Sequence, residues 1–390
     1  MHQAALVERT ALRTASAARN PPAAEAAPAY LSLDLIRFWA AGLVVLYHLC
    51  FYSWTYDSAA PALEYRGQLA PLAPFTSAGW VGVPIFFVLS GVVIAASASG
   101  RDWADFVRRR ALRLYPAAWI CGSITAAICL MAGEPYMPVR YLKSMALSPT
   151  GPWVDEVFWT LGVEIVFYAY VAAILAWFGP GRLERAGLAL GAAGTLFLSA
   201  ALVDFAAGSP LRAELLWLRE GNGRLLLLAN GCYFGLGMVL WAIVSGGATR
   251  ARLAAAAVFT AAGLSAIGRP LEGALWLGTV AAIGASLRYH GPIGKRLGRW
   301  SGQIRVIGLA TFPLYLLHNE IGRAAMRAMR DLGAWAALGA ALALVLALSF
   351  FVTLFVEPRV RAALHRALPA RGDGNASPSA SQAVRLAVTK

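Results

Sequence analysis

The residues with the most chemical potential in this sequence sit inside apolar runs. Arg37 and His48 share one run, and Glu164 lies in another. An ionisable side chain in such a run is costly in lipid and points to function. Arg37 and His48 are eleven positions apart. On a helix they face nearly the same way, about 16 Å apart along the axis. Imidazole can act as a general base on a hydroxyl, or can itself take an acyl group as nucleophile. Glu164 lies about 10 Å below the start of its run, a depth similar to that of His48. That match suggests a base and a carboxylate that orients it. Plainer roles stay open: snorkelling for Arg37, a helix–helix hydrogen bond for His48, and an ion pair or proton relay for Glu164.

Further clusters add to this set. Arg101, Arg108, Arg109, Arg110 and Arg113 precede Leu114-Tyr115-Pro116. Guanidinium groups in such a cluster suit bidentate phosphate recognition, and they equally suit topology determination. Asp102 and Asp105 come first and the arginines last, which matches a helix dipole and predicts an amphipathic helix on the membrane surface. The stretch Gly79 to Gly91 carries small residues that favour close helix packing. His318, in Leu314-Tyr315-Leu316-Leu317-His318, stands near the end of a run and reads alone as interfacial. Glu357-Pro358-Arg359 reads as a helix stop.

The elements that position these residues follow from composition. Of 390 residues, 59% are hydrophobic and 14% charged, more apolar and less charged than a soluble domain. The runs predict an all-α, polytopic membrane bundle of about ten spans, near 33–54, 79–98, 114–133, 157–178, 186–206, 224–245, 252–268, 271–288, 304–322 and 332–356. Gly268-Arg269-Pro270 marks a tight turn between the seventh and eighth. With both termini cytoplasmic, most of the 34 Lys and Arg residues fall on the cytoplasmic side. The net charge of +14 thus reflects membrane topology, and nucleic acid is not an expected partner. Cys50, Cys121, Cys129 and Cys232 lie within or at the ends of apolar runs and form no metal-ligand spacing with histidine; no metal site is expected. Residues 1–30 and 361–390 read as tails without periodicity, flanking one membrane domain over 31–360. No internal repeat of the transporter kind is present.

Taken together, these motifs resemble the acyltransferase-3 family of membrane-bound acyltransferases. Arg37 and His48 match its first-helix motif. Gly79 to Gly91, with Ser90, resembles its FF-x-LSG segment. Arg109, Arg110, Arg113 and Pro116 resemble its Arg-Arg-x-x-Arg-x-x-Pro element. Trp159, Glu164, Phe167 and Tyr168 match its fourth-helix pattern, and Tyr315 to His318 its YLLH segment. The Glu-x-Pro ending of many members is altered, because Glu357 directly precedes Pro358. The hydrolase-like domain of some relatives is not expected here, given the few residues after the last span.

The resemblance implies transfer of an acyl group, usually acetyl, from cytoplasmic acyl-CoA to a carbohydrate hydroxyl, in a bacterial plasma or inner membrane. The carbohydrate would be exopolysaccharide, lipopolysaccharide or a glycoside. His48 and Glu164 would be catalytic, with Arg37, Arg109, Arg110, Arg113 and Tyr115 holding acyl-CoA. Asp34, Ser90, Trp159, Tyr168, Tyr315 and His318 would support substrate or structure. The alternative from the residues alone is a transporter or flippase of a lipid-linked sugar, with Arg37, His48 and Glu164 binding substrate or relaying protons.

Overall fold

The computed structural model describes residues 30–56, 60–131, 133, 137–207 and 221–368. Of the tails read at 1–30 and 361–390, residues 1–29 and 369–390 lie outside the described residues; the first part of the second tail is not aperiodic, because residues 361–367 continue a helix that begins at Glu357. Helices form the described chain, and no strand occurs among those residues. We number the main helices α1 (Leu31–Tyr47), α2 (Gly82–Ala98), α3 (Trp103–Met131), α4 (Phe158–Phe178), α5 (Leu183–Ala207), α6 (Gly231–Gly246), α7 (Arg250–Ile267), α8 (Pro270–Arg288), α9 (Ser301–Ala328), α10 (Ala334–Phe351) and α11 (Glu357–Ala367).

Among the described residues, nine helices are long and apolar enough to cross a membrane. The protein is therefore a multi-pass helical membrane protein. The remaining expected span falls in α9, which has 28 residues but is more polar than the nine. Its Arg305, Glu320 and Arg323 leave the stretch between Arg305 and Glu320 free of Asp, Glu, Lys and Arg. α9 tolerates that load because it packs among α1, α3 and α10, and Pro313 to Asn319 are all buried.

The local signals explain the boundaries. Gly268 closes α7 in the left-handed region at φ 66°, and Pro270 opens α8 in its first turn, where a missing N–H costs nothing. Asp102 caps α3, its Oδ1 accepting from Ala104 N at 2.7 Å and Asp105 N at 3.0 Å. The arginine-rich segment is consequently the first part of α3, continuous through Pro116, rather than a separate surface helix. Glu357-Pro358 does not stop the last helix either. A π-helical stretch, Val352–Val356, joins α10 to α11, and Pro358 sits in the first turn of α11.

Small residues set the close contacts. α2 and α6 meet at Gly91 and Gly237, where a Cβ would lie 2.2 Å from Phe234 O and 2.1 Å from Val88 O, respectively. Only glycine lets these backbones approach so closely. α1 and α9 run parallel. Asp34 abuts Gly308 at one end, and Leu49 abuts Gly322 at the other. A parallel pair requires an odd number of crossings between them, and α2 to α8 supply seven.

Candidate active site

α9 is the spine of the site. Arg305, Gly308, Phe312 and Tyr315 recur at three- and four-residue spacing along it, and all line one cavity of about 460 Å³. α4 contributes Thr160, Glu164 and Tyr168 to the same wall, and α2 contributes Phe86 and Ser90. At one end the cavity is rimmed by guanidinium groups: Arg37 from α1, Arg108, Arg109, Arg110 and Arg113 from α3, Arg305, and Arg361 from α11.

Several of these arginines are held by acids. Arg37 Nη1 donates to Asp34 Oδ1 at 3.3 Å, and Arg109 Nε to Asp105 Oδ2 at 2.8 Å. Arg110 is buried against the Phe106 ring, 5.9 Å from its centroid. Arg113 Nη1 lies 3.9 Å from the buried Glu357. Among the described residues, Arg110 Nε, Arg113 Nη1 and Arg361 Nε are buried without a hydrogen-bond partner. Three orphan N–H donors on one cationic wall fit an anion that supplies the missing acceptors.

Midway along the cavity, Glu164 Oε1 accepts from Ser90 Oγ at 2.8 Å and from Tyr168 Oη at 2.5 Å. Arg110 neighbours both Tyr168 and Glu164. The far end is closed by Tyr315, Thr160 and Phe86. Thr160 Oγ1 donates to Val157 O at 2.9 Å, so Tyr315 Oη donates to Thr160 Oγ1 at 3.0 Å. The Phe86 and Tyr315 rings meet edge to face, 5.6 Å apart.

Just past Tyr315 stand two histidines in contact. His318 Nε2 lies 3.1 Å from His48 Nδ1. His318 is fully buried and His48 half-buried. Their tautomers follow from the acceptors around them. His318 Nδ1 faces Tyr315 O at 2.8 Å, so it carries a proton, and the Nε2 of neutral His318 presents a lone pair. His48 Nδ1 faces that lone pair and also Val44 O at 3.0 Å. It must therefore be the protonated nitrogen of neutral His48, which leaves His48 Nε2 with a free lone pair. This is the state a general base needs.

The backbone supports the arrangement. His48 opens a π-helical turn, His48–Tyr52, directly after α1, a distortion often found at functional sites. Ser53 Oγ donates to His48 O at 2.6 Å. Beyond the dyad, Asp155 is buried and accepts from Asn319 Nδ2 at 2.8 Å, Glu320 N at 3.0 Å and Val157 N at 3.1 Å. It clamps the turn of α9 that follows His318. On the outer side of His48, the rings of Tyr47, Tyr52 and Tyr56 form a ladder, with His48–Tyr52 at 5.6 Å and Tyr52–Tyr56 at 4.9 Å. Tyr52 and Tyr56 are exposed.

The structure thus brings most of the sequence candidates together, in two groups. Arg37, Asp34, Arg109, Arg110, Arg113, Ser90, Glu164, Tyr168 and Tyr315 line the cavity. His48 and His318 form the dyad behind it. Glu164 is held by Ser90 and Tyr168, and the partner of the His48 imidazole is His318. Trp159 stands behind the cavity wall, 6.2 Å from the Phe87 ring and 5.1 Å from the Arg224 guanidinium. Tyr115 is not among the lining residues; it packs on Trp119 at 5.3 Å. Sequence reasoning passed over Asp155, which lies in a loop, Thr160, a plain hydroxyl in α4, and Arg361 and His365, which fall in the stretch read as a tail. Among the described residues no group of three His, Cys, Asp or Glu side chains is placed to hold a metal ion.

A family model described as an acyltransferase domain matches residues 30–356. No curated protein matches the chain, and no solved structure does.

Proposed function

Because the chain belongs to the acyltransferase-3 family, and is a membrane acyltransferase in general terms, we propose that it is an O-acetyltransferase using acetyl-CoA. In this reading it acts on a hydroxyl of a surface or exported carbohydrate at a bacterial inner membrane. The observation that carries the reading is the continuous series along α9. It runs from a guanidinium rim, through a cavity with an apolar wall, to His318, which holds His48 of the neighbouring α1 turn with one ring nitrogen free.

The rim faces the cytoplasm, in keeping with the distribution of basic residues. Acyl-CoA enters there, and its phosphates satisfy the orphan N–H donors of Arg110 and Arg113, with Arg37 and Arg109 beside them. The pantetheine arm runs inward past Glu164, Ser90 and Tyr168, whose fixed dipoles suit its amides. Glu164 also balances the charge of Arg110. Asp34 and Tyr168 hold arginines in place, and Trp159 backs the wall. The thioester reaches the floor at Tyr315, whose ring centroid is 5.7 Å from that of His318. Delivery to His48 requires this ring to turn aside.

At the dyad, His48 Nε2 takes the proton of the acceptor hydroxyl as its oxygen attacks the thioester carbonyl. The carbon–sulfur bond then breaks, and the leaving thiolate takes the proton from the imidazolium. His318 holds the His48 ring through Nδ1 and accepts part of the developing positive charge. The exposed tyrosine ladder gives the acceptor flat apolar faces edged by hydroxyls, which suits a sugar ring.

The test is release of free CoA from acetyl-CoA by the purified protein in lipid nanodiscs, with and without carbohydrate acceptor. His48→Asn keeps hydrogen bonding but removes the base, and is expected to lower turnover by about 10²- to 10⁴-fold. Full activity of His48→Ala rules out the assignment. Release of no CoA by the wild type in nanodiscs, with a labelled lipid-linked sugar moving across the bilayer of sealed proteoliposomes, would support the transporter alternative.

A further inference from the structure

The matched family region ends at residue 356, yet the cavity wall does not. α11 begins at Glu357 and carries Glu357, Arg361 and His365 at four-residue spacing, on one face. Arg361 and His365 both line the cavity. Glu357 is buried at 3% exposure and pairs with Arg361 as well as approaching Arg113 at 3.9 Å. One carboxylate therefore fixes two guanidinium groups from different helices and leaves the trio with net positive charge. Arg361 Nε and Arg113 Nη1 stay buried and without a hydrogen-bond partner among the described residues. At the far end of the helix, Arg108 Nε donates to Leu368 O at 2.8 Å, tying the end of α11 to α3. A basic helix that served only to hold the membrane surface would turn its cations outward to lipid. Here Arg361 and His365 line a cavity, and Arg361 keeps a buried N–H without a partner among the described residues.

Building on the donor reading above, we infer that α11 is a phosphate-binding wall of the donor site. Arg361 and His365 contact the phosphates at the nucleotide end, and Glu357 positions Arg361 for that contact. The pantetheine arm, deeper in the cavity, does not depend on this helix.

Calorimetric binding to protein in nanodiscs made only of zwitterionic lipid tests this directly. The probes are CoA and pantetheine, which shares the arm but lacks every phosphate. Arg361→Ala is expected to weaken CoA about tenfold or more and to leave pantetheine within about twofold. Arg361→Lys, which keeps the charge but loses the planar fork, falls between. His365→Ala, at an exposed position, is expected to weaken CoA less but in the same sense. It carries the test if the Arg361 variants elute as aggregates. Unchanged CoA affinity in soluble Arg361→Ala, or in His365→Ala when that variant alone is soluble, overturns the inference. So does a variant that loses only its association with phosphatidylglycerol vesicles, which would make α11 a lipid anchor. Wild-type protein that binds no CoA overturns the donor reading, and this inference with it.

Discussion

At the scale of single residues, the deciding feature is where one proton sits. Two acceptors, Val44 O and His318 Nε2, fix the hydrogen of His48 on Nδ1. Removing His318 takes away one of those acceptors and the ring that packs on His48 at 4.9 Å. His318→Ala is thus expected to reduce kcat by about 10²-fold, with the KM for acetyl-CoA little changed, in steady-state assays. An equal effect of His318→Ala on donor KM would instead place His318 in the donor site. His48 itself was legible in the sequence because an ionisable group in an apolar run stands out. Its partner was not. Glu164 matched it in depth, but depth along a helix says nothing of which helices touch. α1 packs on α9, α2 and α8, so the nearby imidazole is the one on α9, at a position that looks interfacial when read alone.

At the scale of elements, the dyad depends on how closely α1 and α9 approach. Gly308 makes this possible, since a Cβ there would lie 2.6 Å from Asp34 Cβ. Gly308→Val is expected to wedge the two helices apart, separating His48 from His318 and moving the Arg37–Asp34 pair off the cavity rim. Activity should fall by at least about 10-fold, while the helical content seen by circular dichroism stays that of the wild type. Retained full activity would mean that the two helices tolerate a wider spacing. Most span boundaries were readable within a few residues, because apolar run length and Gly or Pro at the turns are local signals; α3 is the exception, beginning at Trp103 well ahead of the span read from 114. What local signals could not give was continuity. Asp102 caps α3 ahead of the arginines, and the π-helical stretch carries the chain through Glu357-Pro358, so both charged segments became walls of the cavity.

For the whole molecule, in the proposed reading the two ends of the site face opposite sides of the membrane. Tyr56 follows α1 at the dyad end, and Lys295 precedes α9 at the cationic end; both are exposed. All four native cysteines are buried, which gives a low labelling background. A membrane-impermeant maleimide added to intact cells is expected to label Tyr56→Cys and to reach Lys295→Cys only after permeabilisation. The reverse pattern would invert the proposed topology. If acetyl-CoA is the donor, as proposed, the seven arginines at the rim make its capture electrostatic, and its KM is expected to rise with ionic strength while kcat stays level.

The floor made by Tyr315, Thr160 and Phe86 bears on the bilayer itself. A cavity open at one face and a reactive histidine toward the other would together make a hole through which protons could run down their gradient. Tyr315 stands between them, held by the Thr160 hydroxyl and backed by an aromatic ring. In the proposed reading, this floor is what keeps a two-sided reaction centre in an energised membrane from becoming a standing leak.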